Sequence, residues 1–236
     1  MAGEDIKVLS TTALKTVFEA LTADFERATG NRLTVEFGPS LQLETRLGDD
    51  EAADVAILTT SGANDMVARG KLAAGSLVDL ARSSLGVAVP KGAPKPDISS
   101  VEAFREALLA AKSVAVSKPV GGGQSGVHMA RVFEQLGIAA AMQAKAKYGA
   151  GGPQGLVGLI IRRGEAEIGV QQLAELMGVD GIDVVGPVPA AIQSVTPFTA
   201  GIPTGARHAA AGRAVIDFLT TPAAKAVIKA KGLDPA

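Results

Sequence analysis

The chain has 236 residues, and its 23 lysines and arginines almost balance its 24 aspartates and glutamates. This balance argues against a polyanion-binding face, so nucleic acid is not an expected partner. The sequence has no cysteine, which excludes disulfides, thiolate metal sites and a cysteine nucleophile. Two histidines, His128 and His208, cannot by themselves make a typical zinc site, and we expect no metal or other cofactor.

The expected location follows from two features of the sequence. No apolar run approaches the roughly 18 residues that a membrane span needs, so the protein is not expected to be membrane-inserted. The start, MAGEDIKVLS, has acidic side chains where a secretion leader carries basic ones, and no apolar leader core follows. We therefore expect a cytoplasmic protein as the sequence stands, or a periplasmic one if a leader was removed.

Short β-branched runs alternate with amphipathic segments, a pattern typical of the α/β class. The predicted strands are IKVLS, RLTVEF, DVAIL, LGVAV, SVAVS, EIGVQ and IDVVGPV. The predicted helices are 13–29, 41–47, 61–69, 100–111, 125–136, 154–163, 171–177, 206–219 and 222–231. In the first helix the apolar residues fall on one face, and Gly30 follows as a stop signal.

Two segments are typical of crossings between lobes. They are LARSSLGVAVPKGAPKPDISS and AAIQSVTPFTAGIP, each of which combines an extended run with proline and glycine. A chain that leaves one α/β lobe and later returns to it produces two such crossings. The expected ligand site is then a cleft between the lobes, outside the carboxyl ends of the strands.

Three strand-to-helix turns indicate an anion site. LSTTALK and FGPSLQLE place Ser10, Thr11 and Ser40 where a helix begins with unsatisfied N–H groups and the positive end of its dipole. The alternative is that these hydroxyls only cap their helices.

The third turn lies in SKPVGGGQSGVHMARVFEQLGI, whose glycines let the backbone approach a ligand. Gln124 and Ser125 are predicted at the N-cap, and Gly126 and Val127 are predicted to offer N–H groups to a ligand. A nucleotide P-loop is excluded, because the Lys-Ser/Thr pair that should follow the last glycine is missing.

The order of segments resembles the type II periplasmic-binding fold, and within it the molybdate-binding-protein-like group of solute-binding proteins. The resemblance is carried by VLSTTALKTVFEALTADFERATG, VEFGPSLQLETRL, ADVAILTTSGANDMVARGKL, SVAVSKPVGGGQSGVHMARVFEQLGI, RRGEAEIGVQQLAEL and AVIDFLTTPAAKAVIKAKGLDP. It implies mixed sheets flanked by helices, with residues 1–82 and 195–236 as lobe 1 and residues 83–194 as lobe 2. It also implies a small anionic ligand and, as a partner, the permease of an ABC transporter.

Departures from the family pattern affect the expected ligand. Ser40 matches a binding serine of the molybdate binders, but Ala13 stands where a second serine is expected and Gln171 where a tyrosine is expected. This makes an organic carboxylate a better candidate than a metal oxyanion. The ligand-binding residues that we predict are Ser10, Thr11, Thr12, Ser40, Thr59, Gln124, Ser125, Gly126, Val127, Gln171 and Gln193.

Three cations could pair with a further carboxylate, although most surface lysines and arginines are solvated. They are Lys15, Arg46 and Lys118. His128 is expected within the first turn of a helix, where the helix dipole disfavours the imidazolium and leaves a neutral ring that can act as a base. The alternative is that His128 is a packing residue. His208, in the stretch TGARHAAAGR, is expected to be exposed.

A second resemblance concerns chemistry. GGGQSGVHMARVFEQLGI, EIGVQQLAEL and VVGPVPAAIQ are similar to a branch of the same family related to aconitate isomerase. That similarity implies cofactor-free isomerisation of a polycarboxylate by proton transfer, with His128 as the base. Glu44 and Glu175 are weaker candidates, because helix glutamates are normally exposed. Two hypotheses therefore remain, a solute-binding protein first and an isomerase second.

Overall fold

The computed structural model describes residues 3–236 of the chain. The chain divides into two compact units, Met1–Arg82 with Thr196–Ala236 and Ser83–Val195, of which the first is called unit 1 and the second unit 2. Within residues 3–236, no helix is long and apolar enough to cross a membrane.

Strands and helices alternate along the chain, as the α/β class requires. The strands are β1 Asp5–Thr11, β2 Arg32–Gly38, β3 Val55–Thr59, β4 Val78–Pro90, β5 Val114–Ser117, β6 Ala146–Gly149, β7 Ile168–Gln172, β8 Ile182–Pro187, β9 Val195–Gly201 and β10 Asp234–Pro235. The α-helices are α1 Lys15–Thr29, α2 Ser40–Gly48, α3 Thr60–Ala68, α4 Val101–Ala110, α5 Gln124–Gln135, α6 Ala139–Lys145, α7 Val157–Arg162, α8 Leu173–Met177, α9 Ala209–Leu219 and α10 Pro222–Ala230.

The sheet of unit 1 is mixed. Its strands follow the order β2-β1-β3-β9-β4, with β1 parallel to both β2 and β3, and β9 antiparallel to β3. The register pairs Thr11 with Gly38 and Ser10 with Ile57. Because β1, β2 and β3 run in the same direction and are in register, their carboxyl ends lie along one edge of the sheet.

Helix α1 shows why the sequence pattern succeeds. Val17, Phe18, Leu21 and Phe25 are buried, as the apolar stripe predicts. Gly30 ends the helix with a left-handed φ of 75°, and its N–H donates to Glu26 O at 2.8 Å. The α-helix begins two residues later than predicted, because Thr12–Leu14 form a 3-10 turn first.

Asp54 ties three elements of unit 1 together. Its carboxylate is buried and accepts from Lys7 N of β1 at 2.9 Å and from His208 N, the N-cap residue of α9, at 2.8 Å. Its own N–H donates to Lys7 O at 2.8 Å. One side chain therefore satisfies two backbone donors.

We expect Asp54→Ala to lower the free energy of unfolding by about 2 kcal/mol, because two N–H groups lose their acceptor. Asp54→Asn keeps one acceptor oxygen and should lose about half as much. Urea unfolding followed by circular dichroism measures both variants. Equal stability of the three proteins would show that water replaces the carboxylate at no cost.

Unit 2 is also a mixed sheet with helices packed on it. Strand β7 is antiparallel to β4 and parallel to β5, β6 is parallel to β5, and β8 is antiparallel to β4. The main core contains Phe104 and Leu108 of α4 together with Met129 and Phe133 of α5. The expectation that Met129 and Phe133 are core residues is confirmed.

Three features of unit 2 differ from the sequence prediction. Helix α6 and strand β6 were not predicted, because the short run AKYG carries no clear alternation. Helix α7 begins at Val157 rather than Gln154, since residues 151–155 form a tight glycine turn closed by Gly155 N to Gly152 O at 3.1 Å. Gln171 belongs to β7, and α8 begins at Leu173.

Candidate functional site

In unit 1, five hydroxyl-bearing residues lie at the edge where β1, β2 and β3 end. We call this set the first polar edge: Ser10, Thr11, Thr12, Ser40 and Thr59. All five are buried. Helices α1, α2 and α3 start here, so the backbone N–H groups of three helix starts meet at one edge.

The hydrogen bonds of the first polar edge determine what it can donate. Thr59 N donates to Ser40 Oγ at 2.9 Å, which leaves the Ser40 hydroxyl hydrogen for another acceptor. Thr59 Oγ1 accepts from Gly62 N at 3.2 Å and so caps α3, whereas Thr11, the N-cap residue of the 3-10 turn, makes no side-chain cap bond, and the N-cap residue of α2 is Pro39 rather than Ser40. Ser10 Oγ donates to Thr11 O at 3.2 Å.

Thr12 is the exception at this edge. Thr12 is 4% exposed, and within residues 3–236 its Oγ1 has no hydrogen-bond partner. Thr16 Oγ1, one helical turn later, is in the same situation. A buried hydroxyl without a partner is destabilising, and it is the kind of group that a bound acceptor would satisfy.

In unit 2, the parallel strands β6, β5 and β7 also end at one edge. The register pairs Ser117 with Gly149 and Val116 with Val170. Ser125 Oγ donates to Ser117 Oγ at 3.1 Å, which ties the start of α5 to the end of β5. We call Ser117, Ser125, Gly126, Val127 and Gln171 the second polar edge.

The start of α5 differs from the prediction in its cap. Gly123, with a φ of 106°, is the N-cap residue, so Gln124 and Ser125 are the first two residues of the helix. Glycine adopts this left-handed conformation without strain, whereas glutamine and serine do not. Gly126 packs against the backbone, because a Cβ there would lie 2.2 Å from Lys118 O. Gln124 is exposed.

The amides of Gln171 and Gln193 brace the backbone of unit 2. Gln171 Oε1 accepts from Val157 N at 2.8 Å. Gln193 Oε1 accepts from Leu85 N at 2.7 Å, and its Nε2 donates to Leu85 O at 3.0 Å. Both side chains are therefore already engaged in the structure.

His128 is the fifth residue of α5 and is half-buried; it lies one residue further into the helix than predicted, because α5 begins at Gln124. Its Nε2 lies 2.8 Å from Ile192 O. A carbonyl can only accept, so Nε2 carries the hydrogen and Nδ1 of the neutral ring keeps its lone pair. This tautomer is the one that a proton-accepting role at Nδ1 needs.

The three candidate cations lie in different surroundings. Lys15 pairs with Glu19 on the same helix. Arg46 pairs with Glu36 and Glu51, and together with Lys7 it lowers the pKa of Glu51 to about 2. Lys118, at the start of the glycine loop, is exposed.

The helix glutamates were expected to be exposed, and the structure corrects this. Glu44 is half-buried, and its pKa is raised by burial and by Asp65, against the opposing effect of Arg69. Glu175 is half-buried, and burial raises its pKa to about 7, against a hydrogen bond from Gln171. His208 is also half-buried, because it caps α9 beside Asp54.

Comparison with known proteins shows which family the chain belongs to. A model of bacterial extracellular solute-binding proteins matches residues 6–234. The chain belongs to this family. An aconitate isomerase from a Pseudomonas species is 36% identical over 235 residues, which cover 98% of this chain and 87% of that protein.

Two solved structures have the same fold at lower identity. The periplasmic molybdate-binding protein of Azotobacter vinelandii has a TM-score of 0.79 at 20% identity, covering 97% of this chain and 98% of that one. The sulfate-binding protein SubI of Mycobacterium tuberculosis has a TM-score of 0.74 at 15% identity, covering 99% and 87%. The predicted type II periplasmic-binding fold, and the resemblance to molybdate-binding-like proteins and aconitate isomerase, are confirmed.

Proposed function

We propose that this protein is a solute-binding protein whose ligand is a small organic carboxylate. The observation that carries the proposal is the buried Thr12 hydroxyl, which has no partner among residues 3–236 and lies at an edge where three helices begin. A carboxylate oxygen there would accept from Thr12 and from the free hydrogen of Ser40, while the helix starts offset its charge. A permease of an ABC transporter is the proposed partner, as the family implies.

The chemistry of both edges favours a carboxylate over a metal oxyanion. Ala13 offers no hydroxyl where the molybdate binders have a serine, and Gln171 is engaged with Val157 where they have a tyrosine. At the start of α5, a helix of 12 residues, Gly126 N and Val127 N donate to Gly123 O at 3.1 and 3.5 Å, so these two N–H groups are already engaged.

We expect Thr12→Val to separate binding from stability. The change removes the hydroxyl and keeps the shape, so the ligand-free protein should gain about 1 kcal/mol of unfolding free energy. Affinity for trans-aconitate or citrate should fall about tenfold, because the ligand loses a donor. Calorimetric titration and urea unfolding measure the two effects.

Thr22→Val on helix α1, which follows the 3-10 turn of Thr12, is the matched control, since the Thr22 hydroxyl already donates to Phe18 O at 2.7 Å. It should leave ligand affinity unchanged. Titration with molybdate and sulfate tests the ligand class. Tight binding of either oxyanion, with no binding of carboxylates, would overturn the proposal.

A second candidate function is cofactor-free isomerisation of an aconitate-like tricarboxylate. Two observations favour it: the 36% identity to an aconitate isomerase over nearly the whole chain, and the free lone pair of His128 Nδ1. In this reaction a base takes a proton from the methylene carbon, the double bond shifts, and a proton returns at the former vinylic carbon.

Incubation with trans-aconitate in D2O tests this candidate. An isomerase should form cis-aconitate and introduce deuterium at carbon, which chromatography and proton NMR detect. A ligand-induced rise in melting temperature without turnover or exchange would leave the protein as a binding protein only.

A further inference from the structure

Glu44 brings a carboxyl group to the first polar edge. It lies on α2 four residues after Ser40, so the two side chains share one face of that helix. The point where a Cβ on Gly62 would lie is 2.1 Å from Glu44 Oε1 and 3.1 Å from Thr59 Oγ1. Because Gly62 is the third residue of α3, the Glu44 carboxyl group lies over the first turn of that helix, beside the Thr59 hydroxyl.

The Glu44 carboxyl group is half-buried, yet among residues 3–236 it makes no hydrogen bond and no ion pair. Arg69 acts on it only at a distance, because the guanidinium lies against the other end of α2, where a Cβ on Gly48 would be 2.5 Å from Arg69 Nη2. A carboxylate that loses water and gains no donor is destabilised, and a donor on a bound ligand would offset that loss.

The first polar edge thus combines donors with one strong acceptor. The hydroxyls of Thr12 and Ser40 can donate to a ligand carboxylate, whereas an ionised Glu44 can only accept. We propose that Glu44 determines specificity at this edge and that the preferred ligand is a hydroxycarboxylate whose hydroxyl group donates to Glu44. This rests on the proposed function. The start of α3 already places the positive end of a helix dipole beside Glu44, so a neutral hydroxyl is sufficient and an ammonium group is not needed.

Calorimetric titration with matched acids at neutral pH tests the proposal. Succinate, racemic malate and racemic aspartate share one carbon skeleton and differ only in a hydrogen, a hydroxyl or an ammonium group. The wild type should bind malate about tenfold more tightly than succinate, because the hydroxyl bonds to a charged acceptor. Citrate should exceed tricarballylate, which lacks only the hydroxyl group, by a similar factor.

Two substitutions of Glu44 show whether it reads the hydroxyl group. Glu44→Leu removes the acceptor, so malate and succinate should bind with equal affinity. Glu44→Gln keeps a neutral acceptor oxygen, and the preference should fall to about threefold, since a bond to a neutral acceptor is weaker. Asp49→Asn removes an exposed carboxylate at the other end of α2 and should keep the full preference. A merely structural role of Glu44 would change both affinities together and leave their ratio unchanged.

The outcomes separate this inference from the proposed function. Equal affinity of the wild type for the acids with and without a hydroxyl group would overturn the inference alone. A preference for aspartate over malate, or a full preference for malate retained by Glu44→Leu, would do the same. Failure of every one of these carboxylates to bind would overturn the proposed function and this inference with it.

Discussion

Gly126→Ala is expected to destabilise the protein by about 2 kcal/mol and to weaken carboxylate binding by about a hundredfold. Helix propensity alone predicts the opposite sign, a gain of up to about 1 kcal/mol for alanine over glycine. Steric overlap outweighs this gain in helix propensity, because a Cβ on Gly126 would lie 2.2 Å from Lys118 O and 2.6 Å from Ser117 O. Backbone atoms cannot rotate away, so the start of α5 must move and its N–H groups lose their positions.

Urea unfolding and calorimetric titration measure the two effects of Gly126→Ala. Gly75→Ala is the control, because a Cβ at Gly75 would meet nothing within 4 Å. A stabilising effect of Gly126→Ala would show that α5 can shift at no cost. The close approach of α5 to β5 would then not be needed to position the start of α5.

His128→Gln is expected to lower isomerase turnover by about a thousandfold if the second candidate function holds. The glutamine amide can still donate to Ile192 O, the acceptor 2.8 Å from His128 Nε2. It has no basic nitrogen to replace His128 Nδ1. Ligand affinity should therefore change little, while kcat falls. The comparison of KM with kcat separates the two effects.

His208→Gln is the control for the histidine substitution. His208 contributes its backbone N–H to Asp54, which glutamine retains. If His128→Gln turns over at the wild-type rate, His128 is not the base. Glu175 and Glu44 are then the candidates to test.

The fold was predictable where the signal is local. Helix α1 carries its apolar stripe and its Gly30 stop within 16 residues, and both were found. The first polar edge was partly predictable, because the hydroxyl residues of each strand-to-helix turn can be recognised from the local sequence. The alignment of Thr11 with Gly38 and of Ser10 with Ile57 was not, because pairing depends on residues far apart in sequence.

The second polar edge was harder to predict. Three consecutive glycines have no strong local preference, so the cap at Gly123 is set by the packing of Gly126 on β5 and not by sequence. Glu175 was misjudged for a related reason. Its environment is made by α7, β7 and β8, which lie before and after it in the chain, and no pattern within α8 reports that.

The unpartnered hydroxyl of Thr12 has a consequence for anyone who engineers this protein. Screens that select variants for heat resistance in the absence of ligand will favour apolar replacements at position 12, since these relieve an unmet hydrogen bond. If Thr12 donates to the solute as proposed, such variants would survive heating and bind the solute poorly. Selection with the solute present would keep the threonine, and the disagreement between the two selections would itself mark the position as functional.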